Sequence, residues 1–326
     1  MTTDPRVVFG MPAYNRPDTL ARTLESLLSQ TFDDCAIVIV DDRPSPDVQA
    51  IVETYSALHP RITYEANDVR LGMVGNWRRA FERGREIHPR SEYFAWVSDH
   101  DVWHPRWLEV LVGILDTHPT VVLAYPQMQR LYTNGRRRIT SLFDTTGVTK
   151  PSRRLRGVLT RMTAGNGIYG LFRTCTLEQA GVFRPVLLPD RQLLGQLSLL
   201  GEFKHVPEML WYREVAGVFS LRRQRQMFFP ARIPLYTYLP ANVQHCGILL
   251  WDLGVRGRGR PAFGRLTGVW YAGLQLWHST KRQLLRDDAG WRVALGRTRL
   301  GRWLSTRHPK PAAAERAPAV VMETRE

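Results

Sequence analysis

The run Ala36-Ile37-Val38-Ile39-Val40 constrains the fold more than any other stretch, because it is of strand length and leaves no polar face to turn towards water. Such a run belongs to a parallel strand covered on both sides, and parallel strands need long crossovers between them. The preceding residues supply one. Arg6-Val7-Val8-Phe9-Gly10-Met11 reads as a first strand, Pro12-Ala13-Tyr14-Asn15 ends it, and Pro17 suits the first turn of a helix. Leu20, Leu24, Leu27 and Leu28 then recur on one helical face. The order is β-α-β, a right-handed unit whose ligand crevice lies beyond the carboxyl ends of its strands.

The alternation continues. A second helix is predicted from about Ile51, a strand over residues 61–64, a glycine-containing loop over 71–75, and a helix marked by Trp77, Ala80, Phe81 and Gly84. An apolar run from Tyr93 to Val97 reads as a buried strand. Trp107, Leu108, Leu111 and Leu115 mark a further helix, residues 120–125 a further strand, and Asn134-Gly135 a hairpin in a polar, basic stretch. The predicted class is α/β, with helices flanking a mostly parallel sheet, and 326 residues are ample for such a core plus an appendage.

Two of the predicted strands run directly into acids: Asp41-Asp42 after the second, and Ser98-Asp99-His100-Asp101 after the run ending at Val97. Neighbouring carboxylates repel unless a cation lies between them, and hard oxygen donors suit Mg2+ or Mn2+, ions that bridge diphosphates. Taken singly, Asp-x-Asp is more often a plain turn, and one of Asp41 and Asp42 could equally cap the next helix. Other chemistries lack their residues. There is no Gly-x-Gly-x-x-Gly, no Gly-Lys-Ser/Thr after Gly72-x-x-Gly75 and no Gly-x-Ser-x-Gly, while His104, His118, His205 and His245 show no paired ligand spacing. Cys35, Cys175 and Cys246 are odd in number and in no Cys-x-x-Cys spacing, which fits a reducing cytoplasm. The first residues carry no basic-then-apolar secretory pattern, and no apolar run of about 18 residues occurs.

In this setting four stretches resemble, in order, the inverting family 2 glycosyltransferases with the GT-A fold. They are Met11-Pro12-Ala13-Tyr14-Asn15-Arg16; Val40-Asp41-Asp42 with Ser45 and Asp47; Ser98-Asp99-His100-Asp101; and Pro189-Asp190-Arg191-Gln192-Leu193-Leu194 running to Trp211-Tyr212-Arg213. The resemblance covers roughly residues 6–214. It implies a hexosyltransferase-type enzyme that moves one sugar from a UDP-, dTDP- or GDP-linked donor to a glycan or lipid-linked hydroxyl in surface glycan or glycolipid synthesis. Pro12, Tyr14 and Asn15 would then line the nucleotide pocket, Asp41 or Asp42 would recognise base or ribose, and Asp101, with Asp99 less directly, would hold the Mg2+ or Mn2+ ion. Asp190 would be the base that takes the acceptor proton, against the plainer reading of a first-turn acid complementing its helix dipole. Asn166 and Tyr169 would border the acceptor, or simply pack. Pro189-Asp190 stands where many such enzymes have Glu-Asp, and no His follows closely on Arg213, where some supply a metal ligand.

The chain divides by this reading into a catalytic domain over 1–225, a basic helical segment over 226–308 and a disordered tail over 309–326. The net charge is +15, and from Arg256 to Lys310 thirteen Lys or Arg stand against Asp287 and Asp288. Leu266, Val269, Trp270, Gly273, Leu274 and Trp277 recur at helical spacing, with Trp303 and Leu304 beyond. A basic helix with this stripe can lie peripherally at the inner face of a membrane or pack back on the domain with its arginines solvated. Nucleic acid is the weaker explanation of the charge, resting on the short Arg256-Gly257-Arg258-Gly259-Arg260 run. Two other functions stay open: a nucleotidyltransferase, which would release pyrophosphate, and a nucleic-acid-binding protein with a vestigial enzyme domain.

Overall fold

A computed structural model describes residues 4–132, 135–140, 142–162, 167–215, 220–258 and 262–286. Residues 1–280 form one compact unit, and of the second, Lys281–Glu326, only the helix end up to Arg286 is described. Trp303, Leu304, Asn166 and the predicted tail lie outside the described residues.

The first half alternates as its apolar runs dictate: β1 (Val7–Ala13), α1 (Pro17–Leu28), β2 (Cys35–Asp41), α2 (Pro46–Leu58), β3 (Ile62–Ala66), α3 (Gly72–Ile87) and β4 (Tyr93–Trp96). Pairing is parallel in β3-β2-β1-β4, and every residue of β1 is buried. Then follow β5 (Val102–Trp103), α4 (Trp107–Thr117), β6 (Val121–Tyr132), β7 (Arg137–Ile139), α5 (Pro151–Thr160), β8 (Leu171–Arg173), α6 (Thr174–Ala180), α7 (Pro189–Leu200) and β9 (Glu202–Val215). The described strands make one nine-stranded sheet in the order β3-β2-β1-β4-β8-β6-β9-β5, with β7 beside β6. β8 runs antiparallel between β4 and β6, so the sheet is mixed beyond β4. The three cysteines are free.

Two helices begin earlier than periodicity predicts, and each has a local reason. α2 starts at Pro46 because Ser45 Oγ accepts the Val48 N–H at 3.3 Å and proline tolerates the first helical position. The glycine stretch over 71–75 is not a loop. α3 starts at Gly72, whose φ of 76° suits glycine, because the Asp42 carboxylate accepts the N–H groups of Leu71 and Gly72 at 2.6 and 2.8 Å. The predicted hairpin is present as the antiparallel β6–β7 pair, with Asn134 itself outside the described residues.

Under the carboxyl ends of β1 and β4 lies an aromatic core. Trp96 is fully buried, donates its indole N–H to the Trp77 carbonyl at 2.8 Å, and packs against Trp77, Phe94, Phe172 and Phe183. Such close-packed rings fix the strand end that leads to Asp99.

The C-terminal part adds α8 (Leu221–Phe228), α9 (Ala241–Leu249), a π-helical turn (Leu250–Val255) and α10 (Arg265–Arg286). α10 buries Gly268, Tyr271, Ala272 and Gln275, spaced i, i+3, i+4 and i+7. A side chain at Gly268 would meet Leu253 Cβ at 2.7 Å, so that close approach requires glycine. The predicted apolar stripe faces the other way: Leu266, Val269, Trp270, Gly273 and Trp277 are exposed and only Leu274 is partly buried. No described helix is long and apolar enough to cross a membrane.

Candidate functional site

Asp41, Asp42, Asp99 and Asp101 lie at or after the ends of β2 and β4, and each accepts a hydrogen bond from a residue distant in the chain. Asp99 follows β4 closely. Its Oδ2 accepts the Tyr14 N–H at 2.8 Å, which locks the loop after β1 to the loop after β4. Asn15 takes a left-handed conformation, φ 51°, which asparagine tolerates better than most residues and which turns the chain from β1 into α1. Thr19 and Thr23, one turn apart on α1, donate to the carbonyls of Asp99 and Asp101 at 2.9 Å each.

Asp101 is fully buried. Its carboxylate accepts the Trp211 indole N–H at 3.2 Å and the Glu214 backbone N–H at 3.0 Å, both from β9. Burial pushes its pKa up, against the opposing pull of His100, Arg213 and the Glu214 N–H. His100 stands between the two acids, with Nδ1 at 2.8 Å from Asp99 and Nε2 at 3.9 Å from Asp101. Burial opposes protonation of its ring, but the bond to Asp99 and the charge of Asp101 outweigh it and the pKa is raised.

The Asp41-Asp42 pair divides its labour. Asp42 holds the start of α3 and also accepts from Asn67 Nδ2 at 3.0 Å. The cap foreseen for one of the two therefore serves α3 and not the adjacent α2, which Ser45 caps. Asp41 accepts the Arg43 N–H at 2.9 Å and the Tyr64 hydroxyl at 3.1 Å. Burial raises its pKa, and the charges of Asp99 and Asp42 raise it further, so the two acidic edges lie within reach of one another. Pro12 is buried in β1 and pairs with Val40, whereas Tyr14 is exposed with its ring beneath the guanidinium groups of Arg70 and Arg43, at 5.0 and 5.9 Å.

Asp190 arrives from a different direction, in the first turn of α7 after Pro189. Burial raises its pKa, opposed by Arg191 and Arg213. The preceding Leu188 is left-handed at φ 52°, a costly conformation for leucine, and the turn is held by side chains from the C-terminal part. Gln244 and Gln224 accept the N–H groups of Leu187 and Leu188 at 3.0 and 3.1 Å, and His245 donates Nε2–H to the Leu187 carbonyl at 2.7 Å.

Tyr169 is where these parts meet. Its ring packs against Trp211 at 4.8 Å and Trp77 at 5.2 Å, with the Arg213 guanidinium over it at 5.1 Å. Burial raises its pKa, and the charges of Arg213, Asp101, Asp99 and Asp190 all act on its hydroxyl. Tyr169 is thus a buried floor residue shared by β4, α7 and β9. Arg213, His100, Arg43 and Arg70 were not assigned a role from the sequence. Arg213 ends one of the quoted stretches, but nothing in its spacing reveals that it lies over Tyr169.

The donor set around Asp99 and Asp101 is chemically suited to a hard divalent cation: two carboxylates one residue apart, each oxygen keeping a lone pair beyond the bond described. Among the described residues no group of three or more His, Cys, Asp and Glu forms a closed metal cage. The remaining ligands would have to come from a bound diphosphate or water.

The family model described as glycosyl transferase family 2 matches residues 9–183, over half the chain, and the chain belongs to that family. A putative colanic acid biosynthesis glycosyl transferase, WcaA, of Escherichia coli (strain K12) is 30% identical over 114 residues, which is 35% of this chain and 39% of that protein. The putative glycosyltransferase EpsE of Bacillus subtilis (strain 168) is 28% identical over 119 residues, 36% of this chain and 41% of its own. The chain thus spans about two fifths of the length of these curated relatives. Among solved structures, S. aureus TarS 1-349 in complex with UDP-GlcNAc superposes with a TM-score of 0.52 at 17% identity, covering 81% of this chain and 74% of that one. The mannosyltransferase PcManGT from Pyrobaculum calidifontis, in complex with GDP-Man and Mn2+, gives 0.51 at 16% identity, covering 94% and 84%. These neighbours share the fold, a GT-A-type sheet flanked by helices.

Proposed function

We propose that this protein is an inverting glycosyltransferase that transfers one sugar from a nucleotide donor to a hydroxyl acceptor in surface glycan or glycolipid synthesis. The observation that carries this reading is the packing around Tyr169: its ring lies on Trp211 beneath Arg213, the Trp211 indole donates to Asp101, the Tyr14 N–H donates to Asp99, and the charge of Asp190 also acts on the Tyr169 hydroxyl. The donor nucleotide would lie across Pro12, Tyr14, Asn15 and Asp41. Arg43 and Arg70, already over the Tyr14 ring, supply positive charge beside it. Asp41 has acceptor capacity for a base imide or ribose hydroxyl, while Asp42 acts mainly through α3.

Asp99 and Asp101 would hold Mg2+ or Mn2+, and the ion supplies Lewis-acid neutralisation of the departing diphosphate. PcManGT is bound to Mn2+ with GDP-Man, and TarS to UDP-GlcNAc, which keeps UDP-, dTDP- and GDP-linked donors in view here. The chain's own residues do the rest. The acceptor hydroxyl oxygen attacks the anomeric carbon, the bond from that carbon to the diphosphate oxygen breaks with its electron pair going to the oxygen, and Asp190 takes the hydroxyl proton. Arg213, over the Tyr169 and Trp211 rings, has a charge that acts on both Asp101 and Asp190 and would favour the ionised base and steady charge near the diphosphate. A matched relative, of Campylobacter jejuni, is a GalNAc(5)-diNAcBac-PP-undecaprenol beta-1,3-glucosyltransferase, 26% identical over 114 residues, which makes a lipid-linked acceptor the first class to try.

The test is a panel of nucleotide sugars incubated with the purified protein, with Mg2+ or Mn2+ and with a chelator. Metal-dependent release of a nucleoside diphosphate supports the reading. Pyrophosphate release would identify a nucleotidyltransferase instead, and steep salt-dependent nucleic acid binding without donor turnover a vestigial enzyme.

A further inference from the structure

α10 carries apolar residues on both sides: Tyr271 and Ala272 pack inward with Leu249 and Leu253, and a second set faces out. Its inward side buries Gln275 completely, while Leu266 is 88% exposed and Trp277 65%. Apolar groups of this size are not left in water at helical spacing without a use, and the helix does not need them to stay folded, since its other face already packs. We propose that this outward face docks on an anionic membrane surface, with tryptophan rings in the headgroup layer and arginines against lipid phosphates. The proposal goes beyond the transfer reaction and stands or falls separately from it.

The surface extends past the helix. A Cβ on Gly254 would lie 3.1 Å from Val269, so the stripe adjoins the π-helical turn, on which Trp251 and Val255 are exposed. Arg256 lies over the Trp251 ring at 5.5 Å. Near the other end, Asn242 donates to Thr280 Oγ1 at 2.6 Å, tying α10 to the start of α9, where the preceding turn carries Leu235, 83% exposed, and Tyr238 beneath Arg225 at 4.9 Å. Aromatic rings with guanidinium groups stacked on them suit a layer that is half hydrocarbon and half phosphate.

Charge selects the occupant. Residues 216–286 contain eleven Lys or Arg and a single acid, Asp252. That acid is fully buried and paired with Arg184 at 2.7 Å, so the described residues from 220 to 286 offer cations and no exposed carboxylate of their own. A second copy of the chain would bring the same sign of charge. So would the chain's own continuation, since residues 289–310 hold six Lys or Arg and no acid. A nucleic acid would satisfy the arginines but has no place for Leu235 and Leu266. An anionic lipid surface meets both demands, with each basic residue near the surface adding attraction and each buried ring adding apolar transfer.

The experiment is co-sedimentation of the full chain with phosphatidylcholine vesicles containing phosphatidylglycerol, against pure phosphatidylcholine vesicles, at low and high salt. Strong partition to the anionic vesicles, weakened by salt, is expected, and the triple variant Leu266→Ser, Trp270→Ser and Trp277→Ser should weaken it about tenfold or more with unchanged circular dichroism. Should that variant misfold, Arg256→Glu with Arg265→Glu tests the same surface through charge and should reduce the salt-sensitive part of binding. Failure to bind anionic vesicles, or undiminished binding by either folded variant, overturns the proposal. So does a concentration-dependent dimer, or tight RNA binding, lost in the triple variant.

Discussion

The two sides of the candidate site are built on opposite plans. On the donor side, Asp42, Asp99 and Asp101 each accept two or more hydrogen bonds, mostly from backbone N–H groups, so these carboxylates organise the chain as much as they await a ligand. On the proposed acceptor side, Asp190 sits in a helix's first turn with its pKa raised by burial, and the strained turn before it is held by Gln224, Gln244 and His245. Burial does not make the difference, since it raises the pKa of Asp101 as well as that of Asp190; what differs is that the first group is pinned by N–H donors and the second is placed by the turn before it. A carboxylate that must bind a cation gains from being held in one place, whereas one that must accept a proton gains from a pKa closer to the working pH.

Substitution separates the two plans most sharply at Asp190. Asp190→Asn should lower sugar transfer by about 10²–10⁴-fold while leaving the thermal midpoint unchanged or slightly raised, because an ionised group with a raised pKa costs stability at neutral pH. Asp101→Ala should lower both activity and stability, since the Trp211 indole and the Glu214 N–H lose their acceptor. Equal behaviour of the two variants in a melting and turnover comparison would erase the distinction.

Acidification probes the clamp behind Asp190. Burial pushes the His245 pKa down from 6.5 to about 4, so the unfolded chain takes up a proton in that window before the folded one does. Stability is therefore full above about pH 6.5 and falls towards pH 4, by about 3 kcal/mol at about 1.4 kcal/mol per unit. Urea midpoints across this range should show the decline, and His245→Gln, which keeps a donor for Leu187, should flatten it. The rate of transfer should also fall on the acid side, at a pH above the ordinary carboxylate range, as the raised pKa of Asp190 is crossed. A pH–rate profile with its acid limb in the ordinary carboxylate range would count against Asp190 as base.

Smaller effects test the donor side. Asp42→Ala leaves the first N–H groups of α3 without their acceptor and should cost about 2 kcal/mol in chemical denaturation, with a loss of donor affinity only through the displaced helix. Thr23→Val, which removes one bond to the Asp101 carbonyl, should cost about 1 kcal/mol. An Asp42→Ala protein as stable as the parent would return that acid to the nucleotide and make the two acidic edges alike.

Much of this was legible in the chain because it is local. Continuous apolar runs fixed β1, β2 and β4, and leucine spacing fixed α1, since periodicity records directly which faces are buried. The start of α3 was not legible, because its cap is Asp42, 29 residues before Leu71 in sequence. Nor was the mixed part of the sheet, which depends on β8 entering between β4 and β6. The stripe on α10 was visible as a stripe, but its direction was not: the same spacing serves a helix that packs inward or one that faces out, and only Gly268 lying against Leu253 settles which.

By itself, then, the sequence determined the parallel half-sheet, the acids at its strand ends and the membership that their order implies, because each follows from neighbours a few residues apart. Tertiary structure alone decided which of those acids is spent on backbone donors, that Arg213 lies over Tyr169 beside the Trp211 that binds Asp101, and which face of α10 meets solvent. Those outcomes depend on groups brought together across 20 to 110 residues of chain, where hydrogen-bond partners and burial are set by packing and leave no periodic trace.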